Sequence, residues 1–380
     1  MKLSHGLHLA YCTNIHRGQS WAETGDGLKR FTLAVRDRVS PNSPYAIGLR
    51  LSDQASRELS DRQQLLAFQK WLEDENCYVF TINGFPYGQF HGTRVKEQVY
   101  APDWTTPGRL AYTCRLFDLL AKLLPPGLEG SVSTVPCSYK EFIRSPEQER
   151  AMRENLWKCV EHIAGTNLHL GLEPEPLCYL ETSEETVDFL ERMRADRPGD
   201  DRLDRHLGVN YDTCHLAVEF EEPADVIRRF KEHEVRISKL HLSSALKVHA
   251  NPGTREALRA FADDIYFHQV IERGADGNLR RHKDLDVALA HGSDTEWRIH
   301  FHIPLHSPTT KLFGNTSDHL LGVLDALQKD PKLCSHLEME TYTWEVMPPE
   351  MKNRNVVDQL AGEYDWALKH LAERGFTRAQ

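Results

Sequence analysis

Acidic and imidazole side chains stand where strand-like runs of this chain end. Glu173 closes the run HLGLE (169–173) and Asp212 closes LGVNYD (207–212). His241 falls near the end of ISKLHL (237–242), and Glu338 and Glu340 lie in HLEMETY (336–342). In a barrel of parallel strands, the residue ending each strand faces the site at the C-terminal mouth. Carboxylates and an imidazole then converge from four strands, as three oxygen donors and one nitrogen donor. That set suits one divalent ion such as Mn, Mg, Co or Zn. One polar strand end is uninformative; four converging ends point to a metal site. An ion chelating adjacent oxygens of a hydroxy-ketone acidifies the C–H between them. Two carboxylates flanking that carbon can remove a proton from one face and return one to the other. Glu175 and Glu338 each lie two residues from such a position and share its strand face. Spacing alone leaves the choice within each pair open.

Further candidates surround this set. His300, His302 and His306 alternate along 297–306, which puts them on one face of a strand. If that face looks into the barrel, His302 reaches the metal or its substrate. Asn83 ends the run CYVFTIN (77–83), and the loop 84–91 after it is rich in aromatics and glycine. That loop can stack on a sugar ring, although Phe85 and Tyr87 fit a packing role equally well. His91 and Lys96 are its best contacts for a phosphate or hydroxyl. Cys214 has no activating neighbour and reads as a packed thiol.

The elements that must position these residues alternate along the chain. Strands are expected at 7–14, 45–51, 77–83, 130–135, 169–173, 207–212, 237–242, 297–303 and 336–342. Helices are expected at 21–39, 62–75, 109–124, 146–164, 183–194, 223–234, 317–329 and 356–374. Between 251 and 290 the alternation breaks into a helix at 255–261 and a hairpin turning at 274–278. About eight strand–helix units predict an α/β fold, a (β/α)8 TIM barrel with an insertion at about 248–296 before the last strand. A doubly wound sheet is the runner-up. The turn after the first strand, Asn14-Ile15-His16-Arg17-Gly18, lacks the glycine pattern of that fold. No linker divides the 380 residues, so one domain is expected over 1–380.

Composition excludes several classes. The formal net charge of −10 opposes sequence-independent nucleic-acid binding. No apolar run approaches the roughly 18 residues of a membrane span, and the first residues carry no apolar signal core. The eight cysteines are scattered without a Cys-x-x-Cys pair, as expected of reduced thiols in the cytoplasm.

The sequence around these positions resembles a known superfamily. Leu-Glu-Pro at 172–174, Asp-Thr-Cys-His at 212–215, Leu-His-Leu-Ser-Ser at 240–244 and Met-Glu-Thr at 339–341 look like the xylose-isomerase-like barrels, which include sugar isomerases and ketose 3-epimerases. The resemblance implies metal ligation by Glu173, Asp212, His241 and Glu340, with Glu173 and Glu340 as the acid/base pair. It implies substrate contact by His215. The family's substrate arginine falls on Lys247 here, and its second glutamate finds its nearest match, two residues late, at Glu181. Nuclease relatives carry an Asp-x-His pair where this chain has Arg298 and His300, so a three-metal cluster is not expected. Over nearly the whole chain the sequence resembles the EboE family of metabolite traffic proteins. The 11–16, 20–24, 81–104, 172–176 and 338–342 segments carry the match. That family implies a polyol, cyclitol or sugar-derived ligand.

Three readings follow. One is a metal-dependent isomerase or epimerase of a small metabolite, another a non-catalytic carrier that keeps the pocket, and the third an endonuclease-IV-like phosphodiesterase. The net charge disfavours the third, and the complete ligand set favours the first. The expected partner is a small-molecule substrate, with no nucleic acid and no membrane insertion. Nothing in the sequence excludes a homo-oligomer.

Overall fold

The computed structural model describes residues 1–349, 352 and 354–379. In chain order the strands are β1 (His8–Tyr11), β2 (Tyr45–Arg50), β3 (Cys77–Asn83), β4 (Gly130–Thr134), β5 (Leu168–Leu172), β6 (Leu207–Asp212) and β7 (Arg236–Leu242). They continue with β8 (Ala245–His249), β9 (Val270–Arg273), β10 (Leu279–His282), β11 (Glu296–His302), β12 (Gly314–Asn315) and β13 (His336–Met339). Eight of them pair in the order β1-β13-β7-β6-β5-β4-β3-β2, and every pairing is parallel. A parallel bridge between Cys12 and Gly48 joins the two edges into a barrel.

Helices cover the barrel's outer face, so its strands are buried along nearly their whole length, as in β2 (YAIGLR). Local chemistry starts these helices. Thr182 accepts from the Glu185 amide at 3.2 Å, opening Ser183–Asp196. Ser20 and Glu23 form a capping box at Trp21–Gly27. The single helix expected over 21–39 is interrupted by a π turn at Leu28–Thr32 before it resumes at Leu33–Val39.

The strand expected at 297–303 is not a barrel strand. As β11 it lies inside a second, antiparallel sheet of order β10-β9-β11-β8-β12. Trp297, Ile299 and Phe301 of β11 pack with Leu258 and Leu285 in a separate apolar cluster. The inserted sheet runs from Ala245 to Asn315, wider than 248–296 on both sides. A strand's sequence shows its burial pattern but not its partner; β8 follows β7 after only two residues and reads as its continuation. The hairpin turns where expected, with the Gly274 amide donating to Asn278 O at 2.9 Å. Among the described residues no helix is long and apolar enough to cross a membrane.

Candidate metal centre

At the C-terminal mouth, one donor atom from each of Glu173, Asp212, His241 and Glu340 lies within 4.8 Å of every other. His241 Nδ1 is their hub, at 3.0 Å from Glu173 Oε1, 3.2 Å from Glu340 Oε2 and 3.3 Å from Asp212 Oδ2. Each carboxylate is aimed by local structure. Asp212 ends β6 and caps the short helix Thr213–Val218. Its Oδ1 accepts from the Cys214 amide at 2.7 Å and the Ser243 hydroxyl at 2.5 Å, which turns Oδ2 inward. Glu340 Oε1 accepts from Asn14 Nδ2 at 2.7 Å and Asn83 Nδ2 at 3.2 Å.

Within each ambiguous pair the geometry separates the two glutamates. Glu338 sits behind His241, accepting from Nε2 at 2.8 Å and from Lys239 Nζ at 2.6 Å. Lys239, itself fully buried, also donates to Ser133 Oγ at 2.9 Å. With a cation bound, the Nε2–H bond would leave the His241 Nδ1 lone pair facing the cluster. A Cβ on Gly48 would stand 2.1 Å from Glu338 Oε1, so glycine in β2 makes room for this carboxylate. Glu175 turns away from the hub and accepts from the Tyr100 hydroxyl at 2.7 Å.

Burial and charge oppose one another across the site. Burial lowers His241, but Glu340 and Glu173 outweigh it and hold the imidazole well above its ordinary value. Burial raises Glu338, yet Lys239 and His241 bring it down to about 2. Asp212 is likewise held well below the usual range, by His215 first and then His241, against its desolvation. Glu175 is pushed well above that range, mainly by desolvation and further by Glu173, Asp212 and Glu340. Glu173 Oε2 and Asp212 Oδ2 are buried and accept no hydrogen bond among the described residues. Three carboxylates converging on one imidazole, two of them with an unpartnered oxygen, fit a divalent cation.

A pocket opens onto this floor, and its lining includes Asn14, Asn83, Glu175, His215 and His300. His215 Nδ1 lies 3.0 Å from Pro174 O, and its Nε2 lies 3.3 Å from His302 Nε2. His302 thus reaches the mouth from the inserted sheet, its Nδ1 3.1 Å from Glu340 O. It also forms tight groups with Asp212 and His215, and with Cys214 and His300.

Three expected substrate contacts lie elsewhere. His91 braces the loop after β3, with Nδ1 2.6 Å from the Tyr266 hydroxyl and Nε2 on Asn14 O; it lines the neighbouring cleft. Lys247 lies on β8, with Asp318 at 3.5 Å, because its segment has left the barrel. Glu181 is held by Lys140 at 2.6 Å and Arg281 at 2.9 Å, an ion pair tying the loop after β5 to β10. Sequence reading passed over Lys239, whose signal was a lysine in the middle of the apolar run ISKLHL. It also passed over Tyr266 and Phe267 of the insertion, which line the pocket without any motif.

No protein-family model matches the chain, and no curated protein sequence matches it. Solved structures do. An L-ribulose 3-epimerase is 14% identical with a TM-score of 0.54, over 99% of this chain and 96% of that one. A xylose isomerase-like TIM barrel protein from Mycobacterium smegmatis, in complex with magnesium, is 13% identical with a TM-score of 0.55, over 97% of each chain. The fold is a xylose-isomerase-like TIM barrel. A D-allulose 3-epimerase from Methylomonas sp. in complex with D-allulose shares it, at 14% identity and a TM-score of 0.51, over 98% of this chain and 99% of that one. At such identities the likeness is one of fold.

Proposed function

We propose that this chain is a divalent-metal-dependent isomerase or epimerase of a polyol-, cyclitol- or sugar-derived metabolite. The observation that carries the reading is the convergence of Glu173, Asp212, His241 and Glu340 donors within 4.8 Å at the barrel mouth. These four residues would hold one Mn, Zn, Co or Mg ion, which as a Lewis acid would acidify the C–H beside a bound carbonyl.

The remaining work falls to the chain. Glu338 keeps His241 in one tautomer and orientation. The Cys214 amide and Ser243 hold Asp212 rigid. Glu173 and Glu340 approach from strands three places apart in the barrel order, so each can serve one face of a substrate carbon. One removes the proton and the other returns a proton on the opposite face. Asn14 and Asn83 orient the Glu340 carboxylate for that exchange, and His215 lines the pocket for a substrate hydroxyl while His302 braces it from behind. Glu173 and Glu340 are almost wholly buried, which keeps bulk water from the exchanging proton.

Sugar epimerases among the structural neighbours, one of them with D-allulose bound, support this substrate class. The resemblance to the EboE family adds a role in metabolite synthesis or traffic. Eight free cysteines, nearly all buried, support a cytoplasmic setting. The test is elemental analysis of protein purified without chelator, alongside Glu340→Gln and Asp212→Asn. About one ion per chain, lost in both variants, is the expected result. Wild type should then exchange a ketose C–H proton with solvent deuterium. Failure to retain any ion after reloading overturns the reading.

A further inference from the structure

We infer, on the basis of that proposed reaction, that the substrate joins its hydroxy-carbonyl head to an apolar body and is not a free hexulose. The pocket is sharply divided. Its polar groups Asn14, Asn83, Glu173, Glu175, His215 and Glu340 gather on the floor at the barrel mouth, with His300 of β11 beside them. Above them the loop after β3 supplies Phe85, Phe90 and Val99, the segment leading into β9 supplies Tyr266 and Phe267, and the loop after β13 supplies Tyr342.

Two of the three tyrosine hydroxyls in the lining are already engaged. The Tyr266 hydroxyl is engaged by His91 at 2.6 Å. The Tyr100 hydroxyl, also in the lining, donates to Glu175 at 2.7 Å and accepts from Gln269 Nε2 at 3.0 Å. The single lysine in the lining, Lys96, is taken by Asp284 at 2.5 Å. A free hexulose could set its first oxygens on the floor and on His215, but the hydroxyls farthest from the floor would lie against Phe85, Phe90, Val99 and Phe267. Hydroxyls buried there lose water and gain no partner. An apolar ring or chain in the same space releases water from both surfaces. The walls also pack among themselves, since Phe90, Val95 and Tyr266 form one buried cluster with Val99 and Tyr342 at its edge. They form a continuous apolar surface of a kind suited to holding a ligand body.

The test compares probes with one reacting group. Hydroxyacetone and 2-hydroxyacetophenone each carry a CH2OH beside a carbonyl, and only the second bears an apolar ring. Protein reloaded with Mn²⁺ is incubated with each, and with D-fructose, in D2O, and deuterium uptake is read by mass spectrometry after quenching. Exchange on 2-hydroxyacetophenone should exceed that on the other two by roughly tenfold or more in kcat/KM. The substitution Val99→Asn should shrink that ratio by placing an amide in the wall. Equal or faster exchange on hydroxyacetone or fructose overturns the inference. If no probe exchanges, the proposed reaction fails, and calorimetry decides the pocket separately. Binding of 2-hydroxyacetophenone roughly tenfold tighter than hydroxyacetone then supports the apolar walls, and equal binding refutes them.

Discussion

The two ends of the barrel interior bury the same residue type in opposite states. At the N-terminal floor, His8, His169 and His336 come from the starts of β1, β5 and β13. His8 pairs with the Tyr78 hydroxyl at 2.8 Å and His336 with Ser131 Oγ at 2.8 Å. Desolvation takes His8 down to about 4 and His336 to about 3, and it pushes His169 well below the ordinary range. At the C-terminal mouth, His241 is just as buried and is driven the other way by Glu340 and Glu173. Depth alone makes a histidine neutral. Carboxylates brought to the same depth make it a cation, or prepare it to share a metal with them.

The sharpest way to break this contrast is Glu340→Gln, which removes one charge from the mouth. Metal affinity should fall by roughly a hundredfold or more, and C–H exchange should vanish in the deuterium assay. The metal-free variant should nonetheless be more stable than metal-free wild type, by about 1 kcal/mol, because like charges are relieved. Lys239→Met strikes behind the site. It leaves Glu338 buried without its lysine, and urea unfolding should show a loss of about 3–5 kcal/mol.

The floor should respond to acid. Its histidines bind protons in the unfolded chain at pH values where the folded chain keeps them neutral. Their contribution is therefore complete above about pH 6.5 and is lost as pH falls toward the folded values of about 4 for His8 and about 3 for His336. By pH 5 each should cost about 2 kcal/mol of stability. Urea titrations of wild type and His336→Gln at pH 7 and pH 5 measure this, and an unchanged difference between the two pH values would contradict it. The smallest effect belongs to His169, whose ring nitrogens find no hydrogen-bond partner among the described residues. His169→Leu should raise the unfolding free energy by about 1 kcal/mol, opposite in sign to Lys239→Met.

The barrel was legible because its strands are apolar runs with polar ends, a pattern that survives without knowing any partner. Asp212 and His241 could be located by their positions at those ends. Choosing Glu173 over Glu175 and Glu340 over Glu338 needed more than spacing, since both members of each pair share a strand face. What separates them is a lysine two residues before His241 and a tyrosine on a distant loop. Glu181, Lys247 and His91 show the limit from the other side. Each has a suitable side chain at a suitable spacing, yet an ion pair, a departing strand and a backbone carbonyl claim them. The inserted sheet was the least legible region, because antiparallel strands such as β11 carry the same burial signature as barrel strands and declare themselves only by what they pair with.

The loop after β3 is stitched to the insertion at one place. The Val95 and Lys96 amides both donate to Ile265 O, at 3.0 and 3.1 Å, beside the ion pair of Lys96 and Asp284 at 2.5 Å. The floor beneath this stitch is almost wholly buried, so a ligand that enters past it has to wait for it to open. Amide hydrogen exchange at Val95 and Lys96 counts its openings. For the proposed reaction, their frequency would set a ceiling on turnover that faster proton transfer at the glutamates could not raise.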